Sequence, residues 1–591
     1  MKKLFSFFTL MLAFVGVANA QWTSPGNGIT YDLDALVAES NGSVVYLGEL
    51  PYSQERPVYR FMADITISSN DNLLVPEHNF IEFDDVTLTI QGSMIVENLH
   101  SDPGNFFDKS PENENAHPRI RIEGATGASM FESCVFLTFS GIQIINSEAT
   151  FNNCQFNHFD TFHQSSAVNI MNCDPVFTNC SFYSNEGAAI SSPANANNSP
   201  QILNCFFGYN VVDNTNQPQI NLGPGAADTI RIVGCCIVGF RDMSGGISIA
   251  DLMGTGDTKI LLKDNIVKNN RYGYNQQGYK LSSLIIGNQF MDNNLETNPN
   301  NGGSGISIYG MDTNNKAKLR NNLISGNLWG ITTIYYHDVD MGTEDDWGYN
   351  VLFGNGNGGA EYAIYNNGYP DVYAIGNYWG YNEEEQIESV IWHSVGEVIW
   401  RPYYELHPEV LDLVASRELN PSLPFSTDYH GVIDPESRTI TLSIPEEELI
   451  FFGHLMTHVA MSLTLPLGIF CSIDTPYDFM INIEQPYSFT ISAPHGETQE
   501  WTILPEVLNH LDEPNQNSIE VCHLTAEQKI LISGLQEPIQ VRICNLSGQT
   551  LYCRSVENQS TAISTSGFSK GIYIVTIVSP YGSESRKVVV D

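Results

Sequence analysis

One short pattern recurs along the middle of this chain, and its spacing limits the folds that the chain can adopt. A Cys or Asn is followed by any residue and then by a large apolar residue, at steps of 20 to 34 residues that average 27. A β-rich repeat of this length, punctuated by Asn and Gly, is typical of a solenoid in which each repeat forms one coil. The members of this first column are Cys134, Cys154, Cys180, Cys205, Cys236, Asn265, Asn288, Asn322, Asn350 and Asn377.

A second column of Asn residues keeps the same register, five positions after members of the first. Asn tolerates left-handed backbone conformations, so it suits the turns between short strands. On coils stacked about 4.8 Å apart, Asn side chains can also hydrogen-bond along the axis. We therefore predict an all-β chain built on a right-handed parallel β-helix, in which both columns are scaffold rather than a site. The second column is Asn185, Asn210, Asn270, Asn293, Asn327 and Asn355.

Residues 1–20 are predicted to be a signal peptide. Lys2 and Lys3 supply the positive start, residues 4–17 the apolar stretch, and the small residues that end at Ala20 the cleavage site. Cleavage there makes Gln21 the first residue of the mature chain. The apolar run is short for a bilayer span, which argues against the alternative of a membrane anchor. We expect an exported chain without a transmembrane segment.

The charge balance excludes some partners. The chain has 67 acidic and 26 basic residues, a formal net charge of −41. Such a surface repels nucleic acid and anionic lipid, and it disfavours polyanionic substrates unless a local basic groove reverses the field. We expect no nucleic-acid partner.

The eleven cysteines leave two redox states open. Export permits disulfides, and adjacent coils bring Cα atoms close enough for them. The first column, however, changes from Cys to Asn without losing register, which favours buried thiols that behave as small apolar residues.

Changes in composition divide the chain into segments. We predict an irregular N-terminal segment at 21–57, the β-helix with its C-terminal cap at 58–406, and a Pro-bearing linker at 407–430. Two small Ig-like β-sandwich modules follow, at 431–512 and 519–591.

The end of the repeat array carries its own signature. Asn377-Tyr-Trp-Gly380 is followed, over 387–406, by a short amphipathic stretch and a last strand that ends in Pro. This resembles the closing segment of right-handed parallel β-helix proteins of the pectate-lyase-like and NosD-like superfamily. The resemblance covers roughly residues 60–405 and implies the fold, with a cap over the exposed end of the stack. It does not imply an activity.

The first of the two modules has a resemblance of its own. Gln485-Pro-Tyr-Ser-Phe-Thr-Ile491 and the run from Gly496 to Trp501 resemble small Ig-like modules of Bacteroidetes surface proteins. Such modules serve mostly as spacers and in some proteins contact glycans, so this resemblance favours a spacer.

The C-terminal module contains a hairpin, a Gly-Ile-Tyr-Ile-Val strand and a last Lys-Val-Val strand. In these features it closely resembles the C-terminal sorting domain of the type IX secretion system of Bacteroidetes, whereas Phe568-Ser569 and the final Asp591 depart from the usual pattern. The resemblance implies export across the outer membrane of a Gram-negative cell by that machinery, removal of this domain by its sortase, and attachment to surface lipopolysaccharide. The matching positions are Asn545, Gly548, Gly571, Tyr573 and Lys587.

Many proteins with this fold are polysaccharide lyases, so we looked for a basic catalyst. A lyase needs a base that removes the proton α to a uronate, often with Ca²⁺ neutralising the carboxylate. Lys316, Lys318 and Arg320 are the best candidates, because strand alternation places all three on one sheet face. The alternative, which we favour, is a solvated face that offsets the acidity of the chain.

A second candidate site lies in the segment 335–347, which combines aromatic and acidic residues. It could stack on a sugar or hold Ca²⁺, or it could be a solvated loop. The pectin-hydrolase fingerprint is absent from the sequence, which argues against that family. The candidate ligand-binding residues are Tyr335, Tyr336, Asp338, Asp340 and Trp347, and the candidate Ca²⁺ ligands are Asp338, Asp340, Glu344, Asp345 and Asp346.

Two functional hypotheses follow. The first is a non-catalytic protein, secreted or held at the cell surface, that binds extracellular glycans and needs no cofactor. The second is a carbohydrate-active enzyme, most plausibly a lyase, that uses the 316–320 strand and the 335–347 segment, with Ca²⁺ as the one metal to test.

Overall fold

A computed structural model describes residues 21–49, 56–98, 104–226, 228–473, 478–508, 520–524, 528–533, 539–546, 549–556, 560–579 and 582–590. The predicted signal peptide and Ala20 lie outside the described residues, whereas Gln21 begins them. The chain divides into two compact units, Met1–Glu405 and Leu406–Asp591.

The first unit is a parallel β-helix with three faces. Sheets A, B and C each receive one strand per coil, and the chain visits them in that order. Apart from one antiparallel pair at the N-terminal end of sheet C, neighbouring strands in each sheet are parallel. Crossovers between parallel strands are almost always right-handed. The predicted fold, a right-handed parallel β-helix followed by small β modules, is confirmed.

The strands are numbered in chain order. Sheet A contains β1 (Trp22–Thr23), β5 (Ile65–Ile67), β8 (Thr87–Ile90), β11 (Arg119–Glu123), β14 (Ile142–Ile145), β17 (Ser166–Met171), β20 (Ala188–Ser191), β23 (Gln217–Leu222), β26 (Ser244–Asp251), β29 (Tyr274–Gly278), β32 (Ser304–Gly310), β35 (Trp329–Tyr335), β40 (Ile364–Gly368) and β42 (Ile391–His393).

Sheet B contains β2 (Thr30–Tyr31), β6 (Asn72–Val75), β9 (Ser93–Val96), β12 (Ser129–Glu132), β15 (Ala149–Asn152), β18 (Val176–Thr178), β21 (Gln201–Leu203), β24 (Thr229–Val233), β27 (Thr258–Lys263), β30 (Leu281–Ile286), β33 (Lys316–Arg320), β36 (Asp338–Gly342), β41 (Val372–Ala374) and β43 (Val398–Ile399). Sheet C contains β3 (Val44–Glu49), β4 (Pro57–Phe61), β7 (Phe80–Phe83), β10 (Phe106–Lys109), β13 (Val135–Leu137), β16 (Gln155–Asn157), β19 (Ser181–Tyr183), β22 (Phe206–Gly208), β25 (Cys236–Val238), β28 (Ile266–Lys268), β31 (Gln289–Met291), β34 (Leu323–Ser325) and β37 (Val351–Phe353). A small hairpin, β38 (Gly356–Asn357) and β39 (Ala360–Glu361), lies outside the three sheets.

A two-residue turn between sheets B and C explains the first column. Its first residue has a positive φ, as at Asn153 (54°), Asn179 (53°) and Gly234 (67°). Its second residue points into the core and is the column residue. The side-chain amide of Asn265 donates to Oδ1 of Asn288 at 2.8 Å, and the same bond repeats along the Asn half of the column to Asn377. The predicted Asn ladder is therefore present.

One member of the predicted first column is wrong by one residue. Cys235, not Cys236, is the buried column residue: its backbone N–H donates to Oδ1 of Asn265 at 2.8 Å, and its Sγ accepts from the N–H of Cys205. Cys236 starts β25 and is half-buried on the outer side. A shift of one residue reverses the direction of a side chain on a strand, so the distinction decides which thiol is inside. All eleven cysteines are free thiols.

The ends of the β-helix are covered. At the N-terminus, helix α1 (Leu33–Glu39) buries Leu33 and Leu36, while β1 and β2 pair with β5 and β6. The segment 21–57 thus differs from the irregular chain that we predicted, because it already contributes strands to all three sheets. At the other end, helix α2 (Glu384–Val390) and the buried Trp379 close the stack.

The second unit begins with two sheets that share one apolar core. One contains β44 (Asp412–Ala415), β45 (Tyr429–His430), β50 (His458–Thr464) and β52 (Asp478–Asn482); the other contains β46 (Val432–Asp434), β47 (Thr439–Pro445), β51 (Phe470–Cys471), β53 (Tyr487–Ser492) and β54 (Thr498–Leu508). A short 3₁₀ helix (Glu446–Leu449) leads into a separate hairpin, β48 (Ile450–Phe451) and β49 (His454–Leu455).

The predicted linker at 407–430 differs from the structure. It supplies β44 and β45, and Leu413 and Phe425 are buried in the core of the module. Its three prolines predicted an irregular segment, but the apolar residues between them pack into the core of the module. The Ig-like assignment of this module stays a prediction.

The last module has a core of its own. A three-stranded sheet contains β55 (Glu520–Leu524), β56 (Lys529–Ser533) and β59 (Ser560–Ser564). A four-stranded antiparallel sheet contains β57 (Ile539–Asn545), β58 (Thr550–Val556), β60 (Gly571–Ser579) and β61 (Gly582–Val590).

Candidate functional site

The two candidate segments of the sequence lie side by side on sheet B. Strand β33 pairs with β36, so Lys316 is opposite Asp338 and Lys318 is opposite Asp340. The segment 335–347 is therefore largely a strand and its flanking turns. Lys316 Nζ is 3.3 Å from an oxygen of Asp338, and Lys318 Nζ is 2.7 Å from Asp346.

Arg320 is the buried centre of this group. Its guanidinium lies 2.9 Å from both carboxylate oxygens of Asp340 and 2.8 Å from Oδ2 of Asp346, and it also donates to the backbone carbonyl of Leu319. The Arg320 guanidinium, aided by the Lys318 ammonium, lowers the pKa of the Asp346 carboxyl to about 2. We call Lys316, Lys318, Arg320, Asp338, Asp340 and Asp346 the ion-pair cluster.

The ion-pair cluster satisfies its own charges. A catalytic base must reach a substrate proton with a free lone pair. Lys316 and Lys318 instead donate to carboxylates, and the Arg320 side chain is only 6 % exposed. Glu344 and Asp345 are exposed in the turn after β36. Among the residues that the structure describes, no group of three or more His, Cys, Asp or Glu could hold a metal ion. Ca²⁺ binding stays a prediction.

The aromatic candidates separate into two places. Tyr335 ends β35 and Tyr336 follows it; both are about half exposed and contact Tyr369 of the next coil, with ring centroids 6.5 and 5.1 Å from it. Tyr309 of the preceding coil meets Tyr335 edge to face at 5.3 Å. Trp347 lies beyond the opposite end of β36 and contacts Tyr349 instead. We call Tyr309, Tyr335, Tyr336 and Tyr369 the tyrosine edge.

His337 lies buried beneath the tyrosine edge. Its Nε2 is 3.2 Å from Oδ1 of Asn366, and burial lowers the pKa of the imidazole. Oδ1 of Asn366 also accepts from the hydroxyl of Thr333 at 2.7 Å. These contacts fix the turn that presents Tyr335 and Tyr336 to solvent.

The tyrosine edge borders a face of sheet A that carries no charge. Within nine successive strands, from β14 to β40, the one charged residue is Asp251, which is fully buried and binds the backbone of its own turn. The outward positions form two rows of amides, hydroxyls and apolar side chains in register. One row runs through all nine strands and contains Gln143, Asn169, Ser191, Asn221, Ser248, Asn275, Ser307, Thr332 and Tyr365. The other is interrupted at β20 and β23 and contains Ile145, Met171, Ala250, Gln277, Tyr309, Ile334 and Asn367.

A second aromatic group borders the same face and was missed from the sequence. Trp329 lies 4.5 Å from Tyr362 and 5.3 Å from Tyr365, and Tyr362 lies 5.4 Å from Trp392, measured between ring centroids. Trp392 is 44 % exposed on the last strand, in register with Tyr365. We call these four residues the tryptophan edge. The signal was the concentration of aromatics on or just before the last three sheet A strands, which becomes visible only when the strand register is known.

The sorting positions fall on the last module. Tyr573 is buried in its core and donates to the carbonyl of Ser569 at 2.7 Å. Asn545 ends β57 and accepts from the N–H of Gln549 at 2.9 Å, closing the hairpin. Gly571 and Lys587 lie on the paired strands β60 and β61, with Lys587 exposed, and Gly548 lies outside the described residues.

Comparison with known families agrees with this architecture. Residues 137–384 match the family model described as "Protein of unknown function (DUF1565)", which covers most coils of the β-helix. Residues 523–591 match the model described as "Secretion system C-terminal sorting domain". No curated protein matches the chain.

The chain is thus a parallel β-helix protein that carries a type IX sorting domain at its C-terminus. The sorting domain marks it for export, so the protein is secreted or located at the cell surface and interacts with the secretion machinery. In the part of the chain that the structure describes, no helix is long and apolar enough to cross a membrane.

Proposed function

We propose that this exported β-helix is a non-catalytic glycan-binding protein whose site is the outer face of sheet A on its C-terminal coils. The observation that carries the proposal is the uncharged face, bounded by the tyrosine edge on one side and the tryptophan edge on the other. The strip lacks charge although the chain as a whole has a net charge of −41.

The chemistry of the face suits a neutral saccharide. Tyr and Trp side chains have a flat apolar ring that stacks on the C–H face of a sugar. The polar atom at the edge of each ring stays in contact with water. Asn, Gln, Ser and Thr side chains donate and accept hydrogen bonds, which matches sugar hydroxyls. These groups recur with every coil, about 4.8 Å apart, so a linear chain lying along the axis meets the same contacts repeatedly.

The ion-pair cluster supports binding over catalysis. The basic side chains that a lyase would need, Lys316 and Lys318, are each held by a carboxylate on the neighbouring strand or turn. They also lie on sheet B, whereas the proposed site is the outer face of sheet A. A glycan bound to sheet A would therefore contact aromatic and hydrogen-bonding side chains, and neither Lys316 nor Lys318 would serve as its proton acceptor.

Binding of neutral polysaccharides to the purified chain, residues 21–591, tests the proposal. We expect the Tyr365→Ala/Trp392→Ala variant to bind its best glucan, mannan or xylan about tenfold more weakly. Tyr373→Ala is the matched control, since Tyr373 is 51 % exposed on the outer face of sheet B. Unchanged binding in the double variant would refute the site, and release of shortened or unsaturated sugars would refute the non-catalytic role.

A further inference from the structure

The outer face of sheet C differs from the other two faces of the β-helix, because much of it is apolar. From β13 to β37, its nine strands contain one charged residue, Lys268, although the chain has a net charge of −41. The middle residue of each three-residue strand is buried, so the first and third residues point outward. We call the outward positions of β22, β25, β28, β31, β34 and β37 the apolar face. The large apolar side chains that reach solvent there are Phe206, Val238, Ile266, Met291, Leu323 and Phe353.

Two aromatic side chains extend the apolar face at the corner where sheet C leads into sheet A. Tyr209 and Phe240 lie just after β22 and β25, and their rings meet edge to face with centroids 5.4 Å apart. They are 40 % and 38 % exposed. Contiguous exposed apolar surface of this kind indicates contact with another molecule.

The size of the apolar face limits the contact that it can make. Six strands about 4.8 Å apart span about 29 Å along the axis, and three residues span about 10 Å across it. Even with the two corner aromatics, this area is at the low end of specific protein interfaces. The face therefore suits a reversible contact rather than a permanent one.

The one cation of the apolar face lies near an acid at the same edge. Lys268 pairs with Met291 on the next strand, so Asp292 lies one residue further along that strand, where it is exposed. Within the described part of the chain, neither Lys268 nor Asp292 forms an ion pair. Asp264, at the opposite edge of β28, is already 3.6 Å from Lys263. The unused pair of opposite charges is therefore Lys268 and Asp292.

A two-fold axis that runs parallel to the strands, between β28 and β31, makes the apolar face complementary to itself. It stacks β28 of one copy on β31 of the other, β25 on β34 and β22 on β37, with the two sheets about 10 Å apart. Each Lys268 then lies over Asp292 of the other copy. Phe353 of one copy lies over Gly208 of the other, beside the Phe206 ring that packs against this glycine.

We propose that the apolar face binds a second copy of this chain across this two-fold axis, in a reversible dimer with two Lys268–Asp292 ion pairs. The net charge of each copy opposes association, and the apolar face is a surface on which two copies meet without bringing rows of carboxylates together. A lipid surface fits less well, because Asp264 and Asp292 are exposed at the two edges of the face and would enter the lipid with it. This inference is independent of the sheet A proposal.

Sedimentation velocity of the purified chain, residues 21–591, tests the dimer. We expect the average mass to rise from that of one chain towards that of two as the concentration is raised to about 100 µM. Ile266→Asp/Leu323→Asp should weaken dimerisation about tenfold or more, because it places charge in the apolar contact. The matched control is Leu261→Asp/Leu284→Asp, which makes the same change on the outer face of sheet B and should dimerise like the parent.

Exchange of the two charges tests the two-fold axis itself. Lys268→Asp alone and Asp292→Lys alone each bring like charges together across the axis, so each should weaken dimerisation about tenfold. An equimolar mixture of these two variants has opposite charges in both pairs and should dimerise like the parent. A general loss of stability in either variant would not produce this rescue.

A mass of one chain at every concentration would overturn the proposal, and so would equal loss of dimer in the sheet B control. A mixture of folded charge variants that stays monomeric would refute the two-fold axis. Circular dichroism identifies a variant that fails to fold, in which case the comparison between the two pairs of Asp substitutions decides. If the chain stays monomeric and binds phosphatidylcholine vesicles through Ile266 and Leu323, the apolar face contacts lipid and the proposal is wrong.

Discussion

The side-chain amide of Gln219 donates to Oδ1 of Asn270 at 3.0 Å, across a gap in the second Asn column. The coil between Asn210 and Asn270 has Phe240 at the column position, and this side chain is exposed rather than directed into the core. Gln219 lies on a different strand, yet it accepts from the amide of Asn210 at 2.9 Å and so joins the two halves of the ladder. Its side chain is fully buried.

Replacing Gln219 with Ala should destabilise the β-helix strongly. The change leaves the amide of Asn210 and the Oδ1 of Asn270 with one bond fewer in a dry interior, and buried polar groups that lose a partner cost about 1–3 kcal/mol. We expect a loss of about 3 kcal/mol in the free energy of unfolding, measured by urea denaturation. Gln277→Ala, a half-buried outward Gln on sheet A, should cost less than about 0.5 kcal/mol. If Gln219→Ala and Gln277→Ala lower the free energy of unfolding equally, Gln219 does not join the two halves of the ladder.

The ion-pair cluster should make stability depend on pH in the acid range. Arg320 and Lys318 lower the pKa of the neighbouring Asp346 carboxyl to about 2 from its ordinary value of 3.8. A depressed folded pKa stabilises the protein above the unfolded value, and this contribution is lost as the pH falls from about 4 to 2. Asp346 is half exposed, so screening limits its contribution to about 1 kcal/mol or less. Asp346→Asn should lower the free energy of unfolding at pH 7 but not at pH 2. If Asp346→Asn lowers the free energy of unfolding at pH 2 as much as at pH 7, this account is contradicted.

The thiols inside the β-helix should be inert in the folded protein. Burial raises the pKa of Cys154 and Cys180 and raises that of Cys173 to about 12, which disfavours the reactive thiolate. Cys522 and Cys553 are exposed on the last module. We expect iodoacetamide to modify these two first in the native chain, and all eleven after denaturation without reductant. Fewer than eleven reactive thiols in the denatured chain would reveal a disulfide.

The sequence predicted the winding of the chain better than its surfaces. Spacing alone located the Asn ladder, because a ladder repeats one residue type at one turn. It misplaced Cys236 by one residue, since two adjacent cysteines fit the pattern and only the turn geometry distinguishes them. Lys318 and Asp346 were each identified as candidates, but their pairing depends on which strands are neighbours. The tryptophan edge joins residues from three coils and has no local signal.

The hairpin of β48 and β49 should become more stable when Phe452 is replaced by Asn. Phe452 (φ 50°) and Gly453 (φ 80°) form a two-residue turn with two positive φ values, where Asn-Gly is favoured and a bulky first residue is strained. Phe452 is 88 % exposed and its ring contacts that of Phe451, so little packing is lost. Phe452→Asn should raise the free energy of unfolding by about 0.5–1 kcal/mol in thermal denaturation. Phe452→Ala removes the ring but keeps the strain, and it should not stabilise; an equal gain in both variants would assign the effect to the ring.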